Sequence, residues 1–61
     1  MNQEKKKILQ NHFPTARTYI NTCLTCIELN DIDSNKEKNY LIELINLAID
    51  QLKSAKDVIN S

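Results

Sequence analysis

None of the 61 residues is glycine. Glycine is the residue that takes φ > 0 without steric cost and lets a backbone approach a ligand closely. Without it a Rossmann unit or a P-loop cannot be built, because both cradle phosphate on glycine-bearing turns. Multi-stranded β folds are disfavoured as well, since their tight hairpins lean on glycine at the turn. What is left is a small all-α protein, one domain over residues 1–61. A chain of this length buries only about 60% of the surface it exposes when unfolded. Its two cysteines cannot supply a disulfide framework. Either the helices pack unusually well, or a second copy or a partner completes the core, and a homodimer is the expected solution.

Two segments carry helical periodicity. Leu41, Ile45, Ala48, Leu52, Ala55 and Ile59 recur at steps of four and three, the spacing of one helix face. Leu44, Leu47 and Val58 widen this stripe on one side, and Ile42 and Ile49 on the other. The apolar arc then exceeds 180°, whereas one neighbouring helix covers about 100°, so this helix should touch at least two others. Ser34 followed by Glu37 forms a capping box, with Asp33 and Asn35 as alternative caps. The pattern predicts a helix over about 35–59.

The earlier segment repeats the spacing through Leu9, Phe13, Ala16, Ile20, Cys23 and Ile27, which are expected to form its core stripe. Pro14 interrupts it. Inside a helix, proline removes one backbone bond and crowds the preceding turn at a cost of about 3 kcal/mol, yet it is welcome in a first turn. Two readings follow: one kinked helix over about 3–30, or a short helix over about 3–12 followed by a second from Pro14. The unbroken register favours the kinked helix. The link Asn30-Asp31-Ile32-Asp33-Ser34 is short and polar, which makes the flanking helices antiparallel neighbours. The expected fold is an antiparallel helical hairpin, kinked or broken near Pro14, that dimerises into a four-helix bundle. This layout resembles the Rop-type helical hairpin, whose two antiparallel helices dimerise in that way. The proline departs from a simple hairpin, and the likeness implies architecture alone.

Charge is balanced overall, eight basic against eight acidic side chains, but uneven along the chain. Residues 1–20 carry Lys5, Lys6, Lys7 and Arg17 against Glu4, a balance of +3; residues 27–37 carry Glu28, Asp31, Asp33 and Glu37 against Lys36, a balance of −3. The longest uncharged run with apolar content, Thr18 to Ile27, is half the roughly 20 residues of a spanning helix. Lys5-Lys6-Lys7 is followed by only two apolar residues before Gln10, which is no signal-peptide core. A cytoplasmic protein without membrane contact is the expectation. Eight Asn and eight Ile beside seven Lys suggest an AT-rich coding sequence, as in a low-GC bacterium or its phages.

Few residues point to chemistry. Cys23-Leu24-Thr25-Cys26 is a C-x-x-C motif, but redox pairs sit at helix N-termini, where free amides stabilise a thiolate. Here the motif falls deep in a helix, so Cys23 and Cys26 read as small core residues. A Cys₄ zinc site across a dimer is the weaker alternative, and no cofactor is expected. His12, the only histidine, lies too far along the helix to join such a site and has no nucleophile at a diagnostic spacing. It reads as an ordinary surface or seam residue. The run Asp31-Ile32-Asp33-Ser34-Asn35-Lys36 places lysine where a calcium loop needs glycine, and Ile42 stands where that loop needs glutamate. Lys5, Lys6, Lys7 and Arg17 could touch phosphates of RNA or DNA, although nucleic-acid binders usually show a basic face.

The most unusual feature is a second stripe. Asn11, Thr15, Thr18, Thr22 and Thr25 follow the four-three spacing on to Leu29, bordered by Tyr19 and Cys26. Exposed helix faces ordinarily carry Lys, Glu and Arg, which form helices better than β-branched threonine. A neutral, half-apolar face suits contact with another protein, through Thr15, Thr18, Tyr19, Thr22 and Thr25. The resulting expectation is a non-enzymatic interaction protein: a regulator, inhibitor, immunity factor or assembly adaptor. A nucleic-acid-binding hairpin dimer comes second, and a thiolate metal binder third.

Overall fold

In the computed structural model, which describes residues 1–61, the chain forms two helices, α1 (Gln3–Leu29) and α2 (Asn35–Asn60), packed against each other as a hairpin. Its long dimension is 45 Å and its cross-section 16 × 10 Å. Neither helix is long and apolar enough to cross a membrane.

Local chemistry sets the ends of both helices. Asn2 caps α1 by accepting from the Lys5 amide at 2.8 Å. At the other end, the Asn30 backbone and side-chain amides both donate to the Cys26 carbonyl, at 3.1 and 3.2 Å. The capping box of α2 forms as its spacing predicts. The Glu37 amide donates to Ser34 Oγ at 3.1 Å, and Glu37 Oε1 accepts from the Ser34 amide at 3.3 Å and from its hydroxyl at 2.8 Å. The five-residue link turns without any residue at positive φ, which is how a chain lacking glycine closes the hairpin.

Pro14 lies inside a continuous α1, so the reading with a second helix starting there does not hold. Proline has no amide hydrogen to offer the Gln10 carbonyl. Both residues are exposed, on the side of α1 away from α2, and a carbonyl left free there meets water.

The seam between the helices is narrow. On α1 the buried and half-buried line runs through Lys5, Leu9, His12, Ala16, Tyr19, Cys23 and Cys26. On α2 it runs through Glu37, Leu41, Leu44, Ala48, Gln51, Ala55 and Val58. Each line steps by four and three, as two helices packed along their length require. The register is pinned where His12 Nδ1 donates to Gln51 Oε1 at 2.8 Å. Stepping outward from that pair in opposite chain directions brings Ala16 level with Ala48 and Leu9 level with Ala55. Ala16 and Ala55 are 2% and 1% exposed. Small side chains at these levels let the axes approach closely, and they choose which line becomes the seam.

That choice corrects the expected core. Of the stripe Leu9, Phe13, Ala16, Ile20, Cys23, Ile27, only alternate members, Leu9, Ala16 and Cys23, face the seam. Phe13 and Ile20 stay 48% exposed and Ile27 58%. On α2, Leu41, Ala48 and Ala55 lie in the seam, while Ile45, Leu52 and Ile59 stay exposed. Only five residues are buried: Leu9, Ala16, Leu44, Ala48 and Ala55. A single neighbour covers a strip of about 100°, and both arcs are wider.

Candidate functional site

The uncovered apolar residues fall on one side of the hairpin. Phe13, Ile20, Leu24 and Ile27 lie on one flank of the α1 seam line, and Ile42, Ile45, Ile49, Leu52 and Ile59 on one flank of the α2 line. In an antiparallel pair these flanks share a face. An open groove of about 260 Å³ confirms it, because Ile20 and Cys23 line it together with Leu44, Ile45, Ala48, Ile49 and Leu52. All seven lining residues are apolar. Large aliphatic side chains left half in water over such a length form a contiguous patch of the kind that marks interaction surfaces.

The threonine stripe borders the other face. Tyr19 lies in the seam line, Thr15 and Thr22 are half-buried beside it, and Thr18 and Thr25 are exposed. Three hydroxyls turn back onto their own helix. Thr15 donates to the Asn11 carbonyl at 2.7 Å, Thr18 to Pro14 at 3.0 Å and Thr22 to Thr18 at 2.9 Å. With the hydroxyls so engaged, the stripe presents more methyl than hydroxyl. On this side Cys26 and Tyr40 share a smaller hollow of about 250 Å³ with Asn30, Ile32, Glu37 and Leu41. Leu47, two turns beyond Tyr40 on the same flank, extends the half-apolar surface.

The two cysteines therefore look onto different grooves: Cys23 onto the aliphatic one, Cys26 onto the hollow at the loop end. Both are free thiols. No three His, Cys, Asp or Glu side chains gather into a metal-binding group. His12 is engaged with Gln51 inside the seam, a structural pairing that residue spacing on α1 alone did not single out. The basic candidates separate. Lys5 donates to the Ser61 carbonyl and ties the two chain ends together. Lys6 and Lys7 are exposed beside it. Arg17 lies about 15 Å further along the helix axis, at 1.5 Å per residue. No protein-family model matches this chain, and no curated protein or solved structure matches it.

Proposed function

We infer that this chain is a non-enzymatic helical interaction protein that self-associates through its aliphatic face into a four-helix bundle and offers its threonine face to another protein. The observation that carries the reading is the groove of Ile20, Cys23, Leu44, Ile45, Ala48, Ile49 and Leu52, lined by apolar residues throughout. A second hairpin laid on that face gives each wide apolar arc the additional neighbour it lacks. The threonine face then remains outside the bundle, neutral and rich in methyl groups, as a surface for a regulated or inhibited partner. The residues assigned to it are Thr15, Thr18, Tyr19, Thr22 and Thr25. The composition fits action in the cytoplasm of a low-GC bacterium or on behalf of its phage.

Two measurements test this. Sedimentation equilibrium should return about twice the 7.1 kDa chain mass, with a melting temperature that rises with concentration. For the second face, Thr18→Glu combined with Thr25→Lys places charge at two exposed positions without touching the seam. Helicity by circular dichroism should persist, since both replacements form helices better than threonine. Capture of the partner from native lysate should fall, because an unpaired charge buried in an interface costs several kcal/mol. Capture at wild-type strength would remove the threonine face from the reading.

A further inference from the structure

We propose that the occupant of the aliphatic face is a second copy of this chain lying antiparallel to the first, loop end against terminal end, so that α1 packs on α1 and α2 on α2. The inference rests on the self-association reading above and adds the orientation and the pairing of elements.

The dimensions fit a second copy. The hairpin presents a face of 45 × 16 Å, about 700 Å², close to the about 800 Å² per partner of a standard stable interface. The exposed aliphatic residues run from Ile27 near the loop to Ile59 near the chain ends. The patch is thus centred at about the hairpin's mid-height and can lie on its own copy over its whole length. Two twofold arrangements achieve this. With the axis along the helices, the two loop ends meet and α1 sits on α2 of the second copy. With the axis across the helices, each loop end meets a terminal end and α1 sits on α1.

Charge separates the two. The terminal end carries Lys5, Lys6, Lys7, Lys53 and Lys56 against Glu4 and Asp57, a balance of +3. The loop end, residues 27–38, carries Glu28, Asp31, Asp33 and Glu37 against Lys36 and Lys38, a balance of −2. The arrangement with loop ends together sets like charge against like at both ends, and the antiparallel one sets opposite charges together at both. The rim of α1 agrees at its two ends. Lys6, Arg17 and Glu28 are spaced eleven residues apart, which keeps them on one edge of the helix beside the aliphatic flank. Antiparallel packing brings Lys6 level with Glu28 of the second copy, twice over, and Arg17 level with Arg17 of the second copy at the axis. The α2 stripe opposes this, because Lys38 and Lys56 stand at the two ends of the line Ile42, Ile45, Ile49, Leu52 and come level there, each with an acidic neighbour in sequence, Glu37 and Asp57. With the axis along the helices, Lys6 would instead meet Lys56 and Glu28 would meet Lys38. Side contacts mix attraction and repulsion in both arrangements, and attraction at both ends selects the antiparallel form. Association should therefore weaken as salt screens the ends.

Pulsed electron paramagnetic resonance reads the orientation. A nitroxide at Asp31→Cys, in the full chain with Cys23→Ala and Cys26→Ala, should show a separation near the 45 Å length of the hairpin. A label at Gln3→Cys should do the same. Separations inside about 20 Å, the scale set by helices packed about 8–10 Å apart, would overturn the orientation while leaving self-association intact. A monomer at millimolar concentration would overturn the self-association reading and the orientation with it. Should the cysteine-free background fail to fold, the wild-type chain gives the same answer by isotope-filtered nuclear Overhauser spectroscopy of a mixed dimer. Contacts from the Phe13 ring to Ile20 of the second copy support the antiparallel form, and contacts to Ile49 or Leu52 of the second copy refute it.

Discussion

Replacing Ile45 with glutamine separates what this side chain does within one hairpin from what it does between two. Ile45 sits at the centre of the aliphatic groove and is 49% exposed in the single chain. Full burial of an isoleucine side chain is worth about 1.5–3 kcal/mol, so covering the remaining half contributes about 1 kcal/mol. A twofold interface uses the position twice, which makes the loss about 2–3 kcal/mol per dimer. At 1.4 kcal/mol per factor of ten, the dimer Kd should rise by roughly 30- to 150-fold. Glutamine is a good choice because it is similar in length, uncharged and a better helix former than isoleucine. The individual hairpin should keep its helicity and lose only about 1 kcal/mol from the half already buried. The assay is sedimentation equilibrium over a hundredfold concentration range, with circular dichroism on the same samples and Glu43→Gln, at an exposed position on the outer side of α2, as the control. A Kd within twofold of wild type, with helicity retained, would refute the assignment of this face as the seam between copies.

Ser34→Ala removes the hydroxyl that accepts from the Glu37 amide, while leaving the residue-34 amide to donate to Glu37 Oε1, and should cost about 0.5–2 kcal/mol, a fall in Tm of several degrees by calorimetry for a chain of this size. Pro14→Ala should raise Tm, because it restores the amide donor to the Gln10 carbonyl and relieves the crowded turn, worth up to about 3 kcal/mol; a lower Tm would mean that the proline stabilises α1. Substituting Cys23 and Cys26 together by alanine should leave a folded hairpin with a loss of about 1–3 kcal/mol, and elemental analysis of the wild type should find no stoichiometric zinc. Gel retardation at low salt should show no binding of RNA or DNA, since a terminal lysine cluster without a continuous basic face neutralises few phosphates. Retardation that disappears when Lys5, Lys6 and Lys7 become glutamine would revive that class.

Everything governed by nearest neighbours along the chain is legible in the residues alone. The Ser34–Glu37 box starts α2, and the polar link from Asn30 ends α1, because capping bonds span only three or four residues. The missing glycine excludes most alternatives to helix for steric reasons that need no tertiary context. The stripes at steps of four and three predict two helices of nearly the observed lengths, and the excess apolar arc of α2 already requires more than one neighbour. Such a wide arc does not say which part of it meets the other helix. Hydrophobicity is blind to that phase, since Phe13, Ile20 and Ile45 rank above the alanines on any scale of burial. Only packing decided it. Ala16, Ala48 and Ala55 let the axes close, His12 and Gln51 found each other across the gap at 2.8 Å, and the larger side chains were turned onto an outer face. That rotation divides α1 into an aliphatic flank and a threonine flank with the seam between them. It is a tertiary outcome, because close approach depends on the small residues of both helices meeting at the same levels.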